Sequence, residues 1–473
     1  MGEKARTPLI RVLDRPLVPI EIYCRLDEGG IGFLLESALS GGELGRYSFV
    51  GVNPFAVFQS KGRLVEIVTG GRVQRFTANP LDCLREWLGP YRADGVPHFP
   101  PFWGGAVGYF AYNLGEHLER LPSRSIDDLG LPDCYLGLYD VVVAVDHREG
   151  TTALISTGLP ERGEAGRRRA EARLAEVQAR LAAPARGVGI TSETARVGPI
   201  VSNFTREAYC RAVARAKEYI AAGDIYQVNL SQRFSTSLAL APMHLYRRVR
   251  QANPAPFAAY LSFPEVNVIS ASPERFLRVV RREVETRPIK GTRPRGRNPE
   301  SDRARREELL ASDKDQAELV MIIDLERNDL GRVCEYGSVK VPELITLEEY
   351  ATVFHLVSTV TGRLRPGLDV IDLLKASFPG GSITGAPKIR AMEIIDELEE
   401  VKRGLYTGSL GWIGWDGDAD LNIVIRSFVV KDGRAYLQVG GGVVADSDPE
   451  AEYQETLHKA RGLLRALGLA QKG

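Results

Sequence analysis

Short apolar runs separated by glycine-rich turns fill the chain from residue 9 to residue 155. Residues 55–58, 64–68 and 139–145 are examples of these runs. Apolar runs of this length, bounded by turn residues, are typical of β-strands. The N-terminal part of the chain is therefore predicted to form sheets.

A helical pattern replaces the strand pattern further along the chain. Residues 167–183 are rich in Arg, Ala, Glu and Leu, with Leu174 and Leu181 on one helix face. A linker is predicted over 184–202, and a second amphipathic helix over 205–222. This mixture of strands and helices predicts an α+β protein with large sheets.

The composition is that of a soluble globular protein, with 44% apolar and 26% charged residues among 473. This length allows two or three domains or one large intertwined unit. Because 61 basic residues balance 61 acidic ones, bulk charge favours neither a nucleic-acid nor a membrane partner. We expect no membrane span and no signal peptide. Five scattered cysteines indicate reduced thiols and a cytoplasmic protein.

Residues 288–296, with the sequence Pro-Ile-Lys-Gly-Thr-Arg-Pro-Arg-Gly, combine backbone-restricting residues with three cations. Proline and glycine make a regular helix improbable here. Burial, or the neighbouring charges of Arg293 and Arg295, would lower the pKa of Lys290, and a neutral lysine amine is a nucleophile. The alternative interpretation is a solvated basic turn.

Four further segments of unusual composition accompany the lysine segment: residues 271–276, 318–330, 378–388 and 440–449. Together, in this order, the five motifs resemble the chorismate-utilising enzymes. This family includes anthranilate synthase component I, aminodeoxychorismate synthase component I, isochorismate synthase and salicylate synthase. The resemblance covers about residues 200–465. It implies an α/β sandwich with large antiparallel sheets around a deep active-site cleft.

A helix is predicted to begin near Pro449 and to present Glu452, Glu455 and Lys459 on one face. Two carboxylates on one face can bind a hard divalent cation, although an exposed ladder of ion pairs has the same spacing. The resemblance implies that Glu318 and Glu455 hold Mg²⁺. It also implies that Glu452 assists them through water or as a neighbour of the two ligands.

Substrate-binding residues are predicted from the same resemblance. Three consecutive glycines before a helix can expose N–H groups to a carboxylate, or can simply form a tight turn. A histidine in an apolar run is otherwise typical of a core residue, and an arginine ending such a run needs an anionic partner. The resemblance implies that chorismate is bound by Gly291, Thr292, His355, Ser382, Tyr406, Arg426, Gly440, Gly441, Gly442 and Lys459.

Glu274 follows Pro273 and precedes Arg275, so one interpretation is a turn carboxylate paired with that arginine. In the family it resembles, this glutamate is the general acid that protonates the departing ring hydroxyl. That role requires a pKa raised by burial or by another carboxylate.

The nucleophile distinguishes the branches of the family. Enzymes that add water use a lysine at the position of Gln227, and glutamine cannot act as a base. Anthranilate synthases usually have alanine where this chain has Lys290. The Pro-Ile-Lys-Gly-Thr-Arg form is most similar to aminodeoxychorismate synthase component I. In that branch the lysine attacks ring position 2, and ammonia then enters at position 4. The product, 4-amino-4-deoxychorismate, leads to para-aminobenzoate and folate.

Anthranilate synthase component I, of tryptophan biosynthesis, remains the alternative. The N-terminal region, 1–195, resembles the tryptophan site of those enzymes, and 196–473 resembles the catalytic domain. Aminodeoxychorismate synthases can also hold tryptophan as a structural ligand. The predicted tryptophan-binding residues are Ser37, Arg46, Tyr47, Pro256 and Phe257.

Ammonia is expected from a separate subunit. A glutamine amidotransferase needs a cysteine within a Gly-x-Cys-x-Gly elbow, and no cysteine of this chain has such flanks. We therefore predict a glutaminase partner. A tryptophan-binding regulator that has lost catalysis is a further alternative, against which Lys290, Glu274, Glu318 and Glu455 all argue.

Overall fold

A computed structural model describes residues 7–13, 16–37, 43–96, 100–183, 196–350 and 353–469. These residues form an α+β structure with two large antiparallel sheets, as predicted. The helices are α1 Pro19–Leu26, α2 Pro80–Leu88, α3 Gly163–Ala182, α4 Arg206–Ala221, α5 Pro242–Ala252, α6 Pro299–Leu310, α7 Asp313–Gly331, α8 Val370–Ser377, α9 Lys388–Leu398 and α10 Pro449–Ala466.

The strands alternate with these helices along the whole chain. The earlier strands are β1 Leu9–Leu13, β2 Gly32–Glu36, β3 Tyr47–Val52, β4 Ala56–Lys61, β5 Leu64–Thr69, β6 Arg72–Thr77, β7 Gly105–Phe110, β8 Cys134–Tyr139, β9 Val141–Asp146, β10 Thr151–Ser156, β11 Arg196–Val197, β12 Val201–Ser202 and β13 Gln227–Ala239. The later strands are β14 Phe257–Ser262, β15 Asn267–Ser272, β16 Arg275–Val280, β17 Glu283–Arg287, β18 Ile289–Pro294, β19 Lys340–Glu349, β20 Val353–Arg363, β21 Gly385–Ala386, β22 Ser409–Gly414, β23 Ala419–Ile423, β24 Ser427–Lys431 and β25 Arg434–Val443.

Both sheets combine strands from the two ends of the sequence. The first sheet has the order β1-β10-β9-β3-β2-β14-β15-β24-β25-β13-β11, with β12 and β21 also pairing with β13. The second has the order β18-β20-β17-β16-β23-β22-β7-β8-β4-β5-β6, with β19 pairing with β20. The junctions between early and late strands are β2 with β14 and β7 with β22. Both sheets are therefore continuous across the predicted boundary at residue 195. The division into residues 1–195 and 196–473 stays a prediction from the sequence.

Two apolar cores explain the uninterrupted apolar runs. One core fills the space between the sheets, and the other lies between the first sheet and helices α1, α3, α5 and α10. Successive residues of a strand serve different cores: Val142 contributes to the first and Val143 to the second. A strand covered on both faces is apolar at every position, which accounts for the run after residue 139.

The predicted elements near the chemistry are mostly confirmed. The helix predicted over 205–222 is α4, capped by the Thr205 hydroxyl, which accepts a 3.1 Å hydrogen bond from the Ala208 N–H. The helix predicted near Pro449 is α10, whose cap is the Asp448 carboxylate. The linker predicted over 184–202 is partly wrong, because β11 and β12 pair with β13. Its residues 184–195 lie outside the described residues.

Two further observations concern the cysteines and the helices. The five cysteines are free thiols. Each helix in the described ranges is too short or too polar to cross a membrane.

Candidate active site

Lys290 lies on β18, not in a solvated turn. Its side chain is only 12% exposed, and its Nζ lies 3.9 Å from Glu318 Oε2 on α7. The strand bulges between Lys290 and Thr292, where Gly291 has a φ of +75°. A Cβ at position 291 would also approach Asp315 to 3.0 Å, so glycine is required there. The bulge allows Lys290 and Thr292 to be presented next to α7 and β20.

Burial, and not the neighbouring arginines, lowers the pKa of Lys290. The charge of Lys459 lowers it further, whereas Glu318 opposes the shift. The expected influence of Arg293 and Arg295 is wrong. Arg293 forms ion pairs with the carboxylates of Glu308 and Asp315, and Arg295 binds the carboxylate of Asp302.

Glu274 is a buried acid between β15 and β16, only 4% exposed. The interpretation as a partner of Arg275 is wrong, because that arginine binds Asp420 at 3.0 Å and Glu285 at 2.6 Å. Burial raises the pKa of Glu274 to about 7, against the charge of Lys290 and a hydrogen bond from Ser382. The acid is therefore substantially protonated at neutral pH and is able to donate a proton.

Helix α10 presents the predicted carboxylates to the glycine run of β25. Glu455 Oε1 lies 2.6 Å from Lys459 Nζ, which also donates a 2.9 Å hydrogen bond to the Gly440 carbonyl. Glu452 Oε1 accepts a 2.6 Å hydrogen bond from Ser447. A Cβ at Gly441 would lie 2.9 Å from Glu452 Oε2 and 3.3 Å from Glu455 Oε1, so both carboxylates lie against this strand.

The donor set is compatible with a hard divalent cation. Burial raises the pKa of Glu318, and the nearby carboxylates of Asp315 and Glu455 raise it further. Glu452 Oε2 is buried without a hydrogen-bond partner. Across the described ranges, no three His, Cys, Asp or Glu side chains converge to form a complete metal-ligand cluster. An ion bound by two of these carboxylates would therefore take its other ligands from water and substrate, as Mg²⁺ commonly does.

The glycine run belongs to a strand, so the tight-turn interpretation is wrong. Gly440, Gly441 and Gly442 pair with residues 231, 230 and 229 of β13. A Cβ at Gly442 would collide with Gln227 Nε2 at 2.1 Å, so side chains occupy both faces of the run. On the other edge, β24 pairs with β25 only as far as Leu437. Beyond that point, this edge of β25 has no strand partner among the described residues, and its polar backbone groups can meet an anionic ligand.

His355 is buried and contacts the exposed Thr292 of β18. Thr292 Oγ1 lies 2.9 Å from His355 Nδ1. Burial lowers the pKa of His355 to about 4, and the charge of Arg426 contributes to the shift. The imidazole is therefore neutral at pH 7 and can exchange hydrogen bonds with a ligand without adding charge.

Arg426 has the properties of an anion-binding residue. Its φ is +52°, an unusual backbone conformation for arginine. Burial lowers its pKa, and its Nη1 donates a 2.5 Å hydrogen bond to the Lys459 carbonyl. Within the described part of the chain no carboxylate forms an ion pair with it. A partly buried guanidinium in this situation favours an anionic ligand.

The sequence analysis did not predict the buried ion pair that supports this site. Arg403 forms a buried 2.7 Å ion pair with Glu399, and its guanidinium lies 5.7 Å from the ring centroid of Tyr406. Ser231 of β13 donates to the same Glu399 carboxylate. The network connects β13 to the segment that carries Tyr406. The i, i+4 spacing of the ion pair was the available signal.

The predicted tryptophan-site residues also come together. β2 pairs with β3 on one side and β14 on the other. Extending these registers places Ser37 opposite Tyr47 and Phe257. Arg46 lies 4.9 Å from the Tyr47 ring centroid, while its guanidinium binds Asp146 at 2.8 Å.

Comparison with known proteins identifies a matching family and similar relatives. A family model described as chorismate binding enzyme matches residues 39–465. Anthranilate synthase component 1 from Thermus thermophilus is 46% identical over 458 residues, covering 96% of each chain. Aminodeoxychorismate synthase component 1 from Bacillus subtilis is 41% identical over 442 residues, covering 93% of this chain and 92% of the relative.

A solved structure supports the same relationship. The anthranilate synthase component I of Streptococcus pneumoniae superposes with a TM-score of 0.81 at 33% identity. The match covers 94% of this chain and 97% of that protein. The sheets described above are therefore those of a known enzyme fold.

Proposed function

The chain belongs to the family of chorismate-binding enzymes, and we propose that within it the protein is an aminodeoxychorismate synthase component I. The reaction converts chorismate and ammonia to 4-amino-4-deoxychorismate and water. Lys290 is the observation that carries this proposal. It is a buried amine with a lowered pKa, between the acid Glu274 and the carboxylate of Glu318.

Two displacements account for the chemistry with all atoms balanced. The neutral Lys290 amine forms a C–N bond at ring position 2 while the C–O bond at position 4 breaks. Glu274 gives its proton to the departing hydroxide, which leaves as water. Ammonia then bonds to position 4, and the bond between Lys290 and position 2 breaks. Covalent catalysis divides one difficult substitution into two easier steps.

The remaining residues supply binding and orientation. The two carboxylates of chorismate would be held by Arg426, Lys459 and the free backbone edge near Gly440. Thr292 and His355 would offer a neutral hydrogen-bonding pair, and Gly291, Ser382 and Tyr406 would complete the walls. Holding the substrate against Lys290 in one orientation lowers the entropic part of the barrier.

Mg²⁺ is proposed as the cofactor, held by Glu318 and Glu455, with Glu452 assisting. When bound, the ion would neutralise substrate charge and make the ring hydroxyl a better leaving group. The charge of Glu455 raises the pKa of both Glu318 and Glu452. A bound cation would relieve this repulsion between carboxylates, which supports the proposal.

We expect Glu318→Gln and Glu455→Gln to lower chorismate turnover by about 100-fold or more, because each removes a cation ligand. Glu450→Gln is the matched control, since Glu450 lies on the same helix α10 but forms a peripheral ion pair with Arg206. Initial rates and circular dichroism would be compared for the three variants. Excess chelator should stop the wild-type reaction and added Mg²⁺ should restore it. Full activity in the chelator would contradict the metal assignment.

A separate glutaminase is the proposed source of ammonia. The Bacillus subtilis and Thermus thermophilus relatives are both named component 1, which supports a second component here. The active-site groups described above include no cysteine nucleophile of the kind that glutamine hydrolysis needs.

Product analysis tests the function. With chorismate, Mg²⁺ and ammonium, the purified chain is expected to give 4-amino-4-deoxychorismate, which retains the enolpyruvyl group, as identified by mass and absorbance. Glutamine should replace ammonium only after a glutaminase subunit is added. Glutamine hydrolysis by the isolated chain would contradict the predicted division of labour.

Anthranilate synthase component I is the second candidate. It is supported by the names of the Thermus thermophilus and Streptococcus pneumoniae proteins and by the grouping of Ser37, Tyr47 and Phe257. Release of pyruvate and anthranilate in the same assay would establish it. A non-catalytic regulator would instead bind tryptophan and consume no chorismate. In either enzyme, we propose that tryptophan binds beside Arg46 and Pro256.

A further inference from the structure

Glu326 is a buried carboxyl group that the proposed mechanism leaves without a role. It lies on α7, is 8% exposed, and accepts a 3.0 Å hydrogen bond from the Thr286 hydroxyl. Burial raises its pKa well above the usual range. Burial therefore favours the neutral form of this carboxyl group, which has one proton that it can transfer.

The sheet register places Thr286 near the proposed acid. Arg275 of β16 pairs with Arg287 of β17. Glu274 lies one residue before β16 and is therefore a diagonal neighbour of Thr286 across the two strands. Glu326 binds Thr286 and lies within range of the charge of Glu274.

A second set of contacts also brings α7 to the acid. Ser382 hydrogen-bonds to Glu274. The preceding residue, Gly381, lies so close to Leu325 that a Cβ there would be 3.2 Å from Leu325 Cβ. Glu326 follows Leu325, so the loop that contacts Glu274 packs directly against the helix that carries Glu326.

The charged groups around Glu326 form a series from the buried Glu274 towards the protein surface. Ionised Glu274 and Asp329 raise its pKa, and the ammonium of Lys388 lowers it. Asp329 lies three residues further on the same face of α7. Lys388 of α9 donates a 2.5 Å hydrogen bond to Asp329, and the two side chains are 15% and 11% exposed respectively. Both are more accessible than Glu274.

The reaction needs a proton from solvent in every cycle. Glu274 loses one proton to the departing hydroxide. Lys290 enters and leaves the cycle as a neutral amine. Ammonia brings three hydrogens, and an aliphatic amine product keeps all three as an ammonium at pH 7. The proton on Glu274 must therefore be replaced from outside, although this residue is only 4% exposed.

We propose that Glu326 returns a proton to Glu274 after each turnover and is itself reprotonated from solvent through Asp329 and Lys388. In this step an O–H bond on Glu326 breaks and one on Glu274 forms. The inference rests on the proposed function only in requiring Glu274 as the acid for the leaving hydroxyl. Glu326 does not touch substrate, so it is a positioning residue that acts through Glu274.

Glu326→Gln tests the proposal because glutamine keeps the shape and can accept from Thr286 but carries no acidic proton. The kcat for chorismate consumption with ammonium is expected to fall about tenfold or more, with the KM for chorismate unchanged. The solvent deuterium isotope effect on kcat should increase, and added formate should partly restore the rate. Glu326→Asp should retain most of the activity.

Thr286→Val is the matched control, since it removes the hydrogen bond to Glu326 and leaves the proton in place. A Glu326→Gln enzyme with the kcat and isotope effect of the wild type would overturn the proposal. A loss that appears in KM, and that neither Glu326→Asp nor formate recovers, would also overturn it and indicate a structural role. Failure of the wild type to consume chorismate would contradict the proposed function itself, and is seen before any variant is compared.

Discussion

Lys290→Ala is expected to lower the rate of 4-amino-4-deoxychorismate formation on the order of a thousandfold, equivalent to about 4 kcal/mol of activation free energy. The variant loses the amine that attacks ring position 2. It keeps Glu274 and the carboxylates of Glu318 and Glu455, so the substrate should still bind. Product analysis of wild type and variant with chorismate, Mg²⁺ and ammonium measures the effect.

The products that remain are as informative as the loss of rate. Ammonia can take the place of the missing lysine at ring position 2, and that adduct is the precursor of anthranilate. Residual turnover by the alanine variant should therefore be anthranilate-like. Lys290→Arg is the control, because arginine keeps a long basic side chain but is not a nucleophile at neutral pH. Pyruvate and anthranilate as the main products of the wild type would refute the lysine mechanism.

Glu274→Gln is expected to lower turnover by about 100-fold to 10,000-fold, because it removes the proton given to the leaving hydroxide. Activity of the wild type should decline as pH rises through about 7, where burial places the pKa of Glu274. Initial rates between pH 5.5 and 8.5 provide the profile. A wild-type profile that is flat through this range would contradict the assignment.

The same substitution should stabilise the fold at alkaline pH. A carboxyl whose pKa is higher in the folded state costs nothing below its unfolded pKa of 4.5. Between pH 4.5 and about 7 the cost grows, and above that it is constant at about 3 kcal/mol. Glu274→Gln should therefore have a higher urea midpoint than the wild type at pH 8, with little difference at pH 4.5. Glu21→Gln, at an exposed position, should show no such dependence. Equal midpoints at pH 8 would show that Glu274 is not buried as described.

The sequence predicted the local structure of several site motifs, because residue type and spacing within each motif are sufficient to indicate it. The helix beginning at Pro449 has a cap, a proline and an i, i+3, i+7 set of charges, so its polar face follows from spacing alone. The lysine segment was predicted to be non-helical, and its bulge at Gly291 gives the physical reason. The resemblance also placed Glu274, Glu318 and Glu455 around Lys290, and the structure brings these four side chains into one region.

The local sequence pattern did not predict which side chains would meet in the folded protein. Arg293 is near Lys290 in sequence, but it is held by Glu308 and Asp315, which belong to helices α6 and α7. The glycine run is a strand because Gln227 and the α10 carboxylates occupy both of its faces, which only the tertiary structure reveals. Glu326 was indistinguishable from an ordinary polar residue in a helical segment until burial was known.

The pairing of β7 with β22 has a consequence for synthesis of the protein on the ribosome. Phe110 pairs in register with Ser409, so roughly 300 residues must be added between the two partners, which takes about 15 to 60 s at typical translation rates. Throughout that interval one edge of β7 has no partner, and an open edge can pair with another chain. Nascent chains should therefore depend on chaperones, and the catalytic residues can assemble only after translation has passed position 409.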